Sequence, residues 1–149
     1  MNLKTALDRL HYDFTMNELR LMNKSRHSGS MSYNSLLYLD LIAYKENCTA
    51  SYLAEILHVA KSAVTLKVKE LVKQGFLEKK QSETDRRVHY LSVRPEVAEM
   101  YKLYDNAFDN AVAEIEQTYD AEEVSRFCDM LDIFNRHFAG QVKREVTHA

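Results

Sequence analysis

At 149 residues, with 46% hydrophobic and 28% charged side chains, the chain has the size and mixture of one globular domain. No apolar run approaches the roughly 18 residues that cross a bilayer, and Asp8 and Asp13 stand where a secretory leader would carry its apolar stretch, so a cytoplasmic protein without a membrane partner is expected. The formal net charge of −2 is unevenly spread: residues 58–94 hold nine Lys/Arg against four Asp/Glu, and residues 95–149 hold five against twelve, the pattern of a phosphate-facing module joined to an acidic element.

Three glycines (Gly29, Gly75, Gly140) and one proline (Pro95) leave room for long helices. Leu3, Leu7, Leu10, Phe14 and Leu21 fall at steps of 4, 3, 4 and 7 and predict a first helix with one apolar seam, ending near Arg26 to Gly29. Ser32 can cap a second helix carrying Leu36, Leu37, Leu41 and Tyr44, and Asn47 or Thr49 a short third one with Leu53, Ala54, Ile56 and Leu57. A tight turn at His58 and Val59 leads to a fourth helix, AKSAVTLKVKELVKQG, which places Val64, Val68, Leu71 and Val72 on one side and a terminating Gly75. Runs at Phe76 to Gln81 and Val88 to Val93 flank a charged tip and read as a β-hairpin with a long loop.

Pro95 suits the first turn of a fifth helix, along which Val97, Tyr101, Tyr104, Phe108, Val112, Ile115 and Tyr119 fall at near-heptad steps. Val124, Phe127, Leu131, Phe134, Phe138 and Val142 do the same on a sixth. Such stripes are best buried by joining terminal helices across a two-fold axis, the alternative being an intramolecular helical hairpin.

Two short helices, a tight turn and a basic hairpin are the layout of a winged helix-turn-helix. Leu53, Ala54, Leu57, Val59, Val64 and Leu71 are the expected small core, which leaves Lys61, Ser62, Thr65, Leu66 and Lys69 on the outer face of the fourth helix. Lysines and hydroxyls there suit phosphates and base edges of a major groove, although a solvated lysine-rich face has the same composition. At the hairpin tip Asp85, Arg86 and Arg87 stand together. Arginine on such a tip suits a narrow minor groove, with Asp85 able to pair with it and fix its direction, against the plain reading of a surface ion pair.

KSAVTLKVKELVKQGFLEKK followed by TDRRVHYLSV, set between long helices, resembles the MarR family of bacterial transcriptional regulators over essentially the whole chain. The resemblance implies a mainly α fold with a small β-hairpin wing, in which residues 32–94 form the winged helix-turn-helix and residues 1–28 and 95–149 a helical dimerisation part. It further implies a triangular homodimer and a repressor on double-stranded, pseudo-palindromic operator DNA. Lys61, Ser62, Thr65, Leu66 and Lys69 would then lie at the major groove, and Arg86 and Arg87, oriented by Asp85, at the minor groove. His58 at the inter-helix turn, Lys67 at a usually apolar position and SVRPEV before the fifth helix depart from the family pattern. For Lys67 the expectation is a buried stem with its ammonium in water.

Family resemblance also implies release by a small aromatic or phenolic molecule, for which Tyr12, Met16, Met31, Tyr33, Tyr38, Tyr101, Tyr104 and Phe108 are the candidate lining. Cys48 and Cys128 lack C-x-x-C spacing, so neither a disulfide framework nor a cysteine zinc site is expected, and the six histidines form no H-x-x-x-H pair. Cys48, before the third helix, is where a helix dipole would lower a thiol pKa, which keeps a redox-responsive regulator open as an alternative. No G-x-S-x-G, phosphate-cradling loop or zincin motif occurs, and the acidic pairs Glu122-Glu123 and Asp129-Asp132 lie on a solvated helical face, so no catalytic residue or cofactor is expected. A winged helix used as a protein-interaction platform without DNA binding is the other alternative.

Overall fold

The computed structural model describes residues 2–24 and 31–147, with backbone alone for Leu21, Lys24, Leu103, Tyr104 and residues 140–147. The elements run α1 (Leu3–Lys24), α2 (Tyr33–Ala43), α3 (Ala50–Leu57), α4 (Lys61–Lys73), β1 (Leu77–Gln81), β2 (His89–Val93), α5 (Pro95–Thr118) and α6 (Ala121–Thr147). The expected end of the first helix, near Arg26 to Gly29, lies outside the described residues. Contacts within the chain divide it into two compact units, residues 1–100 and 101–149.

In the first unit, local chemistry sets the helix ends. Ser32 is extended, and its Oγ accepts from the Ser35 amide at 3.1 Å, satisfying a donor that the start of α2 leaves without an intrahelical partner. Thr49 does the same for α3 through the Tyr52 amide at 3.1 Å. Asn47 is not a cap. It takes a left-handed turn at φ 52°, a conformation that asparagine tolerates.

Two left-handed residues end α3 and α4 in the same manner. At Gly75 (φ 80°) the Phe76 amide donates to the Leu71 carbonyl at 2.9 Å and the Gly75 amide to that of Val72 at 3.1 Å, the two bonds of a Schellman closure. At His58 (φ 53°) the Val59 amide reaches Ala54 at 3.1 Å and the His58 amide reaches Glu55 at 3.3 Å. Here a side chain occupies a backbone conformation that glycine adopts without strain. The turn carries Val59 outward, so it is exposed and Leu57 only half-buried, which corrects their assignment to the core.

The core of this unit is built from Leu36, Leu39 and Ile42 of α2, Cys48, Leu53 of α3, Val64, Val68 and Leu71 of α4, and Phe76, Leu77 and Leu91 at the hairpin. Burying each leucine fully contributes roughly 1.5–3 kcal/mol. Of the apolar residues expected on α2, Leu36 is buried while Leu37 and Tyr44 are exposed, Tyr44 by 69%. YNSLLYLDLIA is apolar around most of its circumference, so periodicity does not select a side; contact of α2 with β2 does.

The hairpin is antiparallel, with Leu77 opposite Val93, Lys79 opposite Leu91 and Gln81 opposite His89. Phe76 belongs to the Schellman turn, so the first strand starts one residue later than its sequence suggests. Beyond the ladder the Leu91 amide donates to the Cys48 carbonyl at 2.8 Å, fastening the middle of β2 to the connection between α2 and α3.

In the second unit, Asp120 begins α6 with a reciprocal cap. Its carboxylate accepts from the amides of Glu122 and Glu123, both at 2.9 Å, and the Glu123 carboxylate accepts from the Asp120 amide at 3.0 Å. Phe108, Val112, Tyr119, Phe127, Met130, Ile133 and Phe138 are exposed along the two helices.

Opposite substitutions test the two left-handed caps. His58→Gly should raise unfolding stability by about 1 kcal/mol, and Gly75→Ala should lower it by about 1–2 kcal/mol. An added Cβ at Gly75 meets no atom within 4 Å, so its effect would be conformational rather than steric. Urea unfolding of both variants measures the two signs.

Candidate nucleic-acid interface

Val64, Val68 and Leu71 follow at steps of 4 and 3 and turn one side of α4 into the core. Ser62, Leu66, Lys69 and Lys73, at steps of 4, 3 and 4, emerge on the opposite side, and all four are exposed. Lys61 is exposed at the first turn, and Thr65, partly covered, returns its hydroxyl to the Lys61 carbonyl at 2.8 Å. Ala60, the residue before the helix, supplies no side-chain cap. Lys73 is absent from the set expected from sequence, although its spacing of four from Lys69 is the signal that places it in the same exposed row.

Sequence order at the hairpin tip becomes a defined turn. Buried Ser82 accepts from the amides of Thr84 and Asp85, both at 3.3 Å, while its own amide donates to Val88 at 2.9 Å. Asp85 then receives three bonds from Arg87: from the backbone amide at 3.0 Å and Nε at 3.2 Å on Oδ1, and from Nη2 at 3.2 Å on Oδ2. The guanidinium is thus held in a fork while its side chain remains 91% exposed. This hydrogen bonding keeps the Asp85 carboxyl below its ordinary pKa. Gln81 Nε2 donates to the Arg86 carbonyl at 2.7 Å, fixing the backbone on which Arg86 projects.

Lys67 corrects a sequence expectation. Its stem is buried, but its ammonium is turned inward: Nζ donates to Ser35 Oγ at 2.8 Å and to Glu70 Oε2 at 3.1 Å. Ser35 is fully buried, so the lysine gives a polar atom inside the fold a strong donor.

Cys48 is also corrected. It is wholly buried, and desolvation pushes its thiol pKa up, against a smaller lowering influence from Lys45. The expected dipolar activation is therefore outweighed by burial. Cys128, on α6, is exposed.

The candidate effector residues are dispersed in environment. Tyr12 and Tyr33 are exposed, Met16 and Tyr38 half-buried and Met31 buried. Tyr33 donates to Glu18 of α1 at 3.2 Å, and the charge of Glu18 raises its phenol pKa. In the second unit Tyr101 is buried and Phe108 exposed, and the Tyr104 side chain lies outside the described residues. No described helix is long and apolar enough to cross a membrane.

The family model that matches this chain is the MarR family, over residues 31–89. None of the curated proteins matches it. Among solved structures, FabT of Streptococcus pneumoniae, crystallised in complex with DNA, is similar at a TM-score of 0.67 and 21% identity, over 93% of this chain and 96% of that one. Adhesin competence repressor (AdcR) of Streptococcus pyogenes is similar at 0.53 and 22% identity, over 93% and 99%. The transcriptional regulator Tm0710 of Thermotoga maritima is similar at 0.52 and 22%, over 91% and 98%. These likenesses establish the winged-helix fold of the chain.

Two measurements check the site's chemistry. A carboxyl titration by NMR should find Asp85 below the ordinary aspartate value, returning to it in Arg87→Ala. Because the shift is downward, the fork holds at neutral pH and loosens as pH falls through the lowered pKa. In a Cys128→Ser background, a thiol reagent should label Cys48 at the rate of unfolding; immediate labelling of the native protein would contradict its burial.

Proposed function

We propose that the chain, whose residues 31–89 match the MarR family model, is a regulator of that family: a sequence-specific DNA-binding transcription regulator acting as a homodimer, a repressor on a pseudo-palindromic operator. The observation that carries this reading is the Asp85–Arg87 fork at the exposed end of the hairpin. Surface stability gains little from such a pair, whereas an arginine aimed outward from a narrow tip is shaped for the negative potential of a minor groove. In the same unit, α4 offers Lys61, Ser62, Thr65, Leu66 and Lys69 to a major groove, with Arg86 and Arg87 on the wing and Lys73 near the flanking phosphates. A helix start without a side-chain cap adds a site for phosphate.

Exposed apolar residues on α5 and α6, including Phe127, Ile133 and Phe138, support a second copy of the chain as the partner that covers them. The FabT structure holds DNA, which supports the same use of this fold here. A small aromatic effector is the finer part of the reading; within the first unit its candidate residues are Tyr12 and Met16 of α1 and Tyr33 and Tyr38 of α2.

Selection of genomic fragments on the purified protein, followed by binding across a salt series, tests the proposal. The expected outcome is dimer-stoichiometric binding that weakens steeply with salt, with Arg87→Ala costing about 1–3 kcal/mol and Phe127→Glu shifting the mass measured by light scattering to the monomer. Binding indifferent to sequence would favour an interaction platform instead. Phenolic compounds should weaken the selected complex; operator affinity unmoved by a broad aromatic panel would remove the effector from the reading.

A further inference from the structure

Apolar contacts resist separation more than rotation. The hydrophobic effect has no direction, so Val64, Val68 and Leu71 hold α4 against the core without strictly setting its angle about its own axis. A hydrogen bond depends steeply on angle and distance, and α4 has one from its inner flank. Lys67 lies between outward-facing Leu66 and core-facing Val68, with a side chain only 15% exposed. Its Nζ meets Ser35 Oγ at 2.8 Å, and Ser35 Oγ lies 2.9 Å from Ser32 Oγ, the atom that caps α2. Glu70, one turn along α4, holds the same ammonium at 3.1 Å. The cation is thereby committed inward, toward the start of another helix, on the helix whose remaining lysines are exposed.

We propose that Lys67 is a positioning residue, whose bond to Ser35 fixes the rotation of α4 so that Ser62, Leu66 and Lys69 present a constant face to base edges. The inference deepens the DNA-binding reading and rests on it. A methionine at this position would fill similar space but leave the angle to apolar contact alone. Adjacent residues are about 100° apart, so a rotation of α4 by a few tens of degrees would not exchange the groove-facing set for its neighbours but would turn Ser62, Leu66 and Lys69 off the base edges. Sequence discrimination should therefore suffer more than general attraction to DNA.

The test uses a duplex recovered from a random-sequence library on the wild-type protein, and a scrambled duplex of equal length. Lys67→Met and Ser35→Ala should each lower the affinity ratio between the two duplexes about tenfold, with the salt slope unchanged, and the double variant should lose no more than either single one. Recovery of most of the ratio in Lys67→Arg, which retains a donor, would agree. Thermal unfolding and light scattering establish that each variant is folded and of wild-type mass; Ser35→Ala, a small deletion, keeps the test open should Lys67→Met not fold. Three results overturn the proposal. An unchanged ratio in Ser35→Ala removes the tie as its cause. A salt slope lowered by about one in Lys67→Met alone makes the lysine a phosphate contact. A wild-type protein that discriminates no sequence defeats the DNA-binding reading and this inference with it, a result distinct from the first two, where the wild type binds normally.

Discussion

The reversal of the chain at Gly75 is the constraint from which the first unit follows. Two amides turn back onto Leu71 and Val72, ending α4 and sending Phe76 into the core at the point where the hairpin begins. One left-handed residue thus sets both where the helix stops and the direction in which the strands leave. Were the helix to run on, Phe76 and Leu77 would lose their buried places and the ladder would have no root. The Leu91 bond to Cys48 fastens the second strand to the same body, so the hairpin is anchored at both strands before its tip is reached.

Upon that frame the polar groups fall into two kinds. At the surface, Asp85 and Arg87 fix each other in direction while remaining in water, an arrangement that adds orientation more than stability. Half-buried Lys67 meets the fully buried Ser35, and leaving the serine hydroxyl without that donor would be costly. Both place a charge at a chosen angle, one outward and one inward, on adjoining parts of the same unit.

How much of this could be read from sequence depended on whether the signal was local. Ser32 and Thr49 caps, Pro95 at a helix start and Gly75 at a helix end each act within a few residues, and each stands where its chemistry indicated. The pairing of Asp85 with Arg87 was equally local, spanning two residues. What escaped was decided at distance. The buried side of α2 is chosen by β2, and the direction of the Lys67 ammonium by a serine 32 residues earlier in the chain. For Cys48, proximity to a helix start suggested activation, yet the surrounding core excludes the water that a thiolate needs.

The fork at the hairpin tip has a consequence in the arithmetic of donors. A guanidinium carries five N–H groups, and Asp85 engages Nε and Nη2 alone. The outer edge of Arg87 is left with hydrogens to offer, on a plane whose rotational freedom has already been surrendered to its neighbour. An anion arriving from solvent would add its bonds to that plane without displacing the aspartate, so ordering of the arginine precedes the encounter and is no part of its entropy.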